Sequence, residues 1–194
     1  MEFPEHSFWD FTLNVHSQTG IHEACLELQV TYGLDVNMLF FCCWVGSAGG
    51  GTVGREVIGR ALEAVTHWQE EIVRPVWRAR HRLKNEFREF PSSLTEPLRQ
   101  ALIAAEVDAE HIEQLVLAES FTFQSDDAST GKKRINDAAS NLADYLALCS
   151  REDLAFSKEI FEPMTLILNA AFPEAERESV RYVLASALSW IVGS

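Results

Sequence analysis

Apolar side chains along this chain recur three or four positions apart, and no stretch alternates convincingly at every second position. That period predicts helices stacked on helices, with no sheet between them. Phe8, Phe11 and Val15 open the pattern behind Ser7, and Asp10 three residues on gives a capping-box spacing. Gly20 breaks this helix; Ile21, Cys25 and Leu28 line the next, which Gly33 closes. Asp35 can cap a third helix to about Trp44 that is apolar nearly all round, and so predicted to be buried.

Beyond the glycine-rich loop from Gly46 to Gly51, one long pattern runs over about 54–88 with Ile58, Ala61, Leu62, Val65, Trp68 and Ile72 on one stripe. Pro75 interrupts it and predicts a kink near Glu71 to Arg74. A helix from about Thr95 to Leu117 follows, with Leu98, Leu102, Ala105, Ala109, Ile112 and Leu115 predicted to face inward. Three more helices follow. Ile135, Leu142, Tyr145 and Cys149 line the first; Phe156, Ile160, Met164 and Ile167 the second; Val180, Leu184 and Ile191 the third, with Pro173 near its first turn. The predicted fold class is all-α, one domain of seven or eight helices in orthogonal or bundle-like packing. Within it, 1–121 forms a core region, 122–133 a mobile polar linker, and 134–194 three helices packing on the same domain.

Composition agrees with a folded chain: 47% of the 194 residues are hydrophobic and 23% charged. The first residues lack a basic n-region and an apolar h-region, and the longest apolar run, Met38 to Val45, is too short to span a bilayer. A cytoplasmic location is therefore expected. The net charge of −13 disfavours nucleic acid and anionic membrane as partners. Cys25, Cys42, Cys43 and Cys149 form no C-x-x-C pair and sit among apolar neighbours, which predicts reduced thiols packed as small hydrophobes.

Few motifs carry chemistry. Gly49 to Gly54 matches a G-x-G-x-x-G pattern, but a dinucleotide loop needs a parallel sheet around it, and no strand is predicted. Asp108 with His111 and Glu63 with His67 share helix faces, without the second copy that a bundle metal site uses. No catalytic residue, metal site or cofactor is assigned.

The charge pattern is more specific. No Lys or Arg precedes Arg55, while six of the 16 lie between Arg74 and Arg88. Arg74, Arg78 and Arg82 repeat every fourth residue, and Glu106, Glu110 and Glu113 form an acidic stripe on the next helix. Two readings stay open: the stripes pair as structural ion pairs, or some arginines remain free to bind an acidic partner or an anion. For the second, Arg74, Arg78 and Arg82 with Trp68, Gln69 and Glu70 form the candidate contact region.

Three segments, Phe8-Trp9-Asp10-Phe11, Leu34 to Trp44, and Trp68 to Pro75 continuing to Lys84, occur in an order that resembles a bacterial family known as domain of unknown function 2390. The likeness spans about 8–120. It implies a bacterial cytosolic protein and no reaction, cofactor or catalytic residue. The expected role is a non-enzymatic interaction protein using the arginine-rich face toward an unknown protein partner. The alternative is a protein that holds a small apolar or amphipathic ligand between helices, at Phe40, Phe41 and Trp44. The oligomeric state is not specified by any of these features.

Overall fold

Capping fixes where the first helices begin. In α1 (Ser7–His16) the cap is His6 rather than Ser7: its imidazole Nδ1 accepts from the backbone N–H of Phe8 and of Trp9, at 3.2 and 3.4 Å. Gly20 and Gly33, both with positive φ, bound α2 (Ile21–Tyr32). Asp35 caps α3 (Val36–Ser47) by accepting from Asn37 N–H at 2.9 Å. The structure, a computed structural model, describes residues 3–87, 89–122, 126, 128–150 and 158–189.

The long pattern after the glycine loop becomes α4 (Arg55–Trp68), a π-helical turn (Gln69–Val73) and α5 (Arg74–Asn85). Where a kink is expected, near Glu71 to Arg74, the helix widens: the Arg74 N–H reaches back five residues to the Gln69 carbonyl. A proline ring crowds the preceding turn and has no N–H to give it, and the extra residue of a π turn makes room for both. The wider turn also changes which side chains face inward. Gln69 and Val73 are buried, while Ile72, which the 3.6-residue spacing placed on the stripe, is exposed.

The helix α6 (Ser92–Ser120) turns back along α5, and α7 (Gly131–Cys149), α8 (Phe161–Ala171) and α9 (Arg177–Ala187) complete the fold, with a 3-10 turn (Lys158–Ile160) before α8. All nine α-helices belong to one helical assembly, and no strand occurs among the described residues. Because α4, the π turn and α5 run on without a break, they count as one long helix, and the expected seven or eight helices are met with eight among the described residues. None of these helices is long and apolar enough to cross a membrane.

At the centre lies α3, buried from Asn37 to Gly46. It crosses α7 so closely that a Cβ on Gly46 would sit 2.6 Å from the Ala138 backbone nitrogen. On its other side the Phe8 ring stacks on Trp44 at 5.0 Å and meets Phe41 edge-on at 5.9 Å.

Two local expectations need correction. Pro173 lies in the turn before α9 rather than in its first helical turn, because the chain between Phe172 and Glu176 closes on itself through an Ala175 N–H to Phe172 carbonyl bond. More consequential is the orientation of α6. It buries Glu106, Ala109, His111, Glu113, Gln114 and Leu117, so of the six residues expected inward only Ala109 is buried. Leu98 is 53% exposed. The reason is that the surface facing the middle of α6 is itself polar: Gln114 Nε2 donates to Asn37 Oδ1 at 2.8 Å, next to the buried Asp35 cap. The positions 123–125 and 127 of the expected linker, Phe156 and Ile191 lie outside the described residues.

Candidate functional site

The α5–α6 hairpin is the least buried part of the fold. Among the residues of α5 none is buried, and α6 exposes Leu94 at 71% one turn from Leu98, on one flank. Near its tip a cleft of about 320 Å³ is lined by Leu83, Lys84, Phe87, Phe90, Thr95 and Arg99, among others. Phe87 and Phe90 meet there edge-to-face at 6.0 Å. An apolar ridge beside cations on a projecting helix pair is a form suited to protein contact.

The three arginines of the expected basic stripe have different surroundings. Arg74 Nη2 donates to the Gly33 carbonyl at 2.7 Å and so ties the π turn to the end of α2. Arg82 donates to Glu86 at 2.7 Å and lies over the Phe87 ring. Arg78 is exposed and has no ion pair among the described residues. Trp68 donates through Nε1 to the Ala109 carbonyl at 3.0 Å, Gln69 is buried beside it, and Glu70 is exposed.

The acidic stripe does not meet Arg74, Arg78 or Arg82 in any ion pair among the described residues. Glu106 is held instead by Arg80, from the adjacent flank of α5, in a two-pronged contact whose Nη2–Oε1 arm is 2.9 Å. Sequence spacing drew attention to the fourfold repeat and passed over Arg80. Its signal is its position, 26 residues before Glu106 on a pair of helices that fold back on each other.

Glu110 and Glu113 lie further along α6, where the hairpin joins the body. Glu113 is completely buried, and neither of its oxygens makes a full hydrogen bond, the Asn37 side chain being the one neighbour that favours its charged form. It faces Asp35, whose Oδ2 also lacks a donor, and burial together with that neighbouring charge raises the Glu113 carboxyl well above the ordinary range. Burial, then Glu106 and Asp35, push Glu110 up to about 7, against the opposing pull of Arg80. The Tyr145 hydroxyl accepts from the Asp35 N–H at 2.8 Å and closes the other side of this cluster. A carboxyl buried without enough donors is most stable neutral, holding its own proton.

A second polar feature lies at the same level of α6, on another face of the helix. The His111 ring stacks on Trp9 at 3.9 Å, nearly parallel, and meets Phe3 at 4.3 Å. Burial lowers the pKa of both His6 and His111. No group of three or more His, Cys, Asp or Glu that could hold a metal is present among the described residues.

Phe40, Phe41 and Trp44, the alternative pocket residues, are packed into the core, and the cleft at the hairpin tip is lined by other side chains. The glycine loop is likewise occupied. Asn141 accepts from the Val53 N–H at 3.0 Å and donates to the Gly51 carbonyl at 3.1 Å, while Thr52 donates to Asp137. With a carboxylate against it and its backbone groups bonded to α7, the loop offers no cradle for a phosphate. The four cysteines are free, and burial pushes Cys25 up to about 12 and Cys42 and Cys43 well above the ordinary thiol range. Cys25, Cys42 and Cys43 are therefore unreactive packing groups.

Two of the three segments that carry the family likeness meet at this hairpin root: one supplies Asp35 and Asn37, the other Trp68, Gln69 and Arg74. The comparisons with known proteins give one match. No curated protein and no solved structure matches the chain. The family model described as protein of unknown function (DUF2390) matches residues 7–117, more than half of the chain and the whole stretch from α1 to Leu117 in α6. The chain is a member of the DUF2390 family.

Proposed function

We propose that this is a helical interaction protein that binds a protein partner through the outer face of its α5–α6 hairpin. The observation that carries the reading is the inverted helix α6, which buries Glu106 and Glu113 and shows Leu94 and Leu98 outside. A surface leucine is ordinary when alone, but two of them one turn apart, beside the exposed Phe90, are what partner contacts use. Lys84 and Arg99 line the cleft at this end of the hairpin, Arg82 lies over Phe87, and Arg78 is exposed further along α5, so the favoured partner presents apolar side chains flanked by carboxylates. The arginine-rich face expected from the sequence thus narrows to Arg78 and Arg82, since Arg74 is engaged with Gly33.

The test is a pair of variants, Arg78→Glu and Leu98→Glu, examined separately in the native host. The reading expects helical content and melting temperature to stay at wild-type values while a stoichiometric partner is lost from the affinity-purified complex. Retention of the same partner by both folded variants overturns it.

A further inference from the structure

We propose that the root of the α5–α6 hairpin is a proton-linked joint: Glu110 and Glu113 dock against Asp35 as neutral carboxyls, and ionising them loosens the hairpin from α3. The proposal adds a mode of control to the contact surface described above and matters for function only if that reading holds, though its own test needs no partner.

Hydrogen-bond donors are scarce at this joint. In this region the buried side-chain atoms without a partner are Asp35 Oδ2, both oxygens of Glu113, and the Oε1 atoms of Gln69 and Gln114. On this face of α6 every one is an oxygen; His111 Nε2, also unpartnered, belongs to the face stacked on Trp9. The site therefore lacks hydrogens rather than acceptors, and a proton on Glu113 supplies a donor at the point where Asp35 has a free oxygen. Two buried carboxylates side by side cannot both ionise without a cation to balance them.

The charged and titratable groups around them are few and come from each neighbouring element. Arg80 of α5 is bound at Glu106, and Arg74 is turned away to the Gly33 carbonyl. Cys25 of α2 lies close enough for Glu110 to raise its pKa, and burial keeps that thiol neutral. Tyr145 of α7, also kept neutral by burial, is bonded to the Asp35 backbone. One cation, Arg80, thus stands against Asp35, Glu106, Glu110 and Glu113, which leaves protons as the remaining source of compensation. Burial, the same cause that raises Glu113, places the Glu110 ionisation near neutral pH.

The π turn gives the joint somewhere to move. Gln69 is buried at the contact between this turn and α6, with its own Oε1 unpartnered, so the seat of the hairpin is held by few direct bonds: Trp68 to Ala109, Arg74 to Gly33 and Gln114 to Asn37. Ionised Glu110 and Glu113 would repel Asp35 and each other across this contact.

The experiment follows the side-chain carboxyl carbons of the wild-type protein by 13C NMR from pH 4 to 8, with hydrogen exchange of the α5 amides over the same range. The expected result is a Glu113 resonance at the protonated position throughout and a Glu110 resonance that moves near pH 7. Opening of α5, corrected for the intrinsic exchange rate, should rise about 10-fold per pH unit for each carboxyl released on opening. Glu110→Gln, which mimics the neutral acid, should remove its share of that slope while leaving the fold intact. Two ionised carboxyls at pH 6, or a Glu110→Gln slope equal to the wild type, overturns the proposal. Loss of partner binding in Arg78→Glu with this titration unchanged would separate the two ideas.

Discussion

Gly46 and Ala138 pass each other with no room for a methyl group between them: a Cβ on the glycine would lie 2.6 Å from the alanine nitrogen and 2.7 Å from its Cα. This contact sets the distance between α3 and α7, the two helices around which the core is arranged. Gly46→Ala should therefore destabilise the protein by about 1–3 kcal/mol through overpacking, despite the better helix propensity of alanine. Gly59→Ala is the control, since in α4 only Leu148 Cδ1 approaches, at 3.9 Å. It should stabilise by about 0.5–1 kcal/mol. Urea unfolding of both variants checks the pair of signs.

Arg80 and Arg78 lie two residues apart on α5 and should behave very differently. Arg80→Ala leaves the buried Glu106 carboxylate without its partner and should cost about 2–4 kcal/mol. Arg78→Ala removes an exposed side chain with no ion pair and should change stability by less than about 0.5 kcal/mol. A double-mutant cycle between Arg80 and Glu106 isolates the coupling.

Leu98 and Leu117 test the orientation of α6. The sequence pattern places Leu98 inward, but it is more than half exposed, whereas Leu117 is fully buried. Leu98→Ala should cost under about 0.5 kcal/mol. Leu117→Ala should cost about 2–5 kcal/mol from lost burial and the cavity it leaves. Equal losses at the two positions would contradict the inverted helix.

His6 makes α1 sensitive to acid. Its Nδ1 must be unprotonated to accept from Phe8 and Trp9, and burial lowers its pKa below the unfolded value near 6.5. The folded state thus binds fewer protons than the unfolded one, so this contribution is present above pH 6.5 and lost as pH falls through the folded pKa. His6→Asp keeps a capping acceptor without that loss, and His6→Ala should cost about 0.5–2 kcal/mol at pH 7.5. Stability–pH curves of the three proteins should separate above pH 6.5 for the alanine variant and below it for the aspartate variant. The carboxyls at the hairpin root oppose this trend, because their raised pKa values favour the folded state most at low pH.

How far the sequence disclosed this molecule depends on the signal each feature uses. Helix content was legible because the interior of α2, α3, α4 and α7 is apolar, and apolar periodicity reports burial directly. The same logic misled at α6. There the facing surface contains Asp35, Asn37 and Gln69, and a polar interior reverses the sign of the pattern. The π turn was invisible for a related reason: Pro75 announces a disturbance, and whether the chain breaks or widens depends on tertiary contacts such as Arg74 to Gly33. Arg80 escaped notice because spacing alone selects repeats, while its partner lies on another helix. The Asp35 cap, by contrast, needed only its own local sequence.

The central claim is that the outer face of the α5–α6 hairpin is where this protein meets its partner. A photo-crosslinking side chain placed in turn at Arg78, Leu94 and Leu98, with Val30 and Tyr182 as equally exposed controls elsewhere, tests it in living cells of the native host. The account predicts one discrete crosslinked product of the same mass from the three hairpin positions and none from the controls. Crosslinks from Val30 or Tyr182 with none from the hairpin would contradict it.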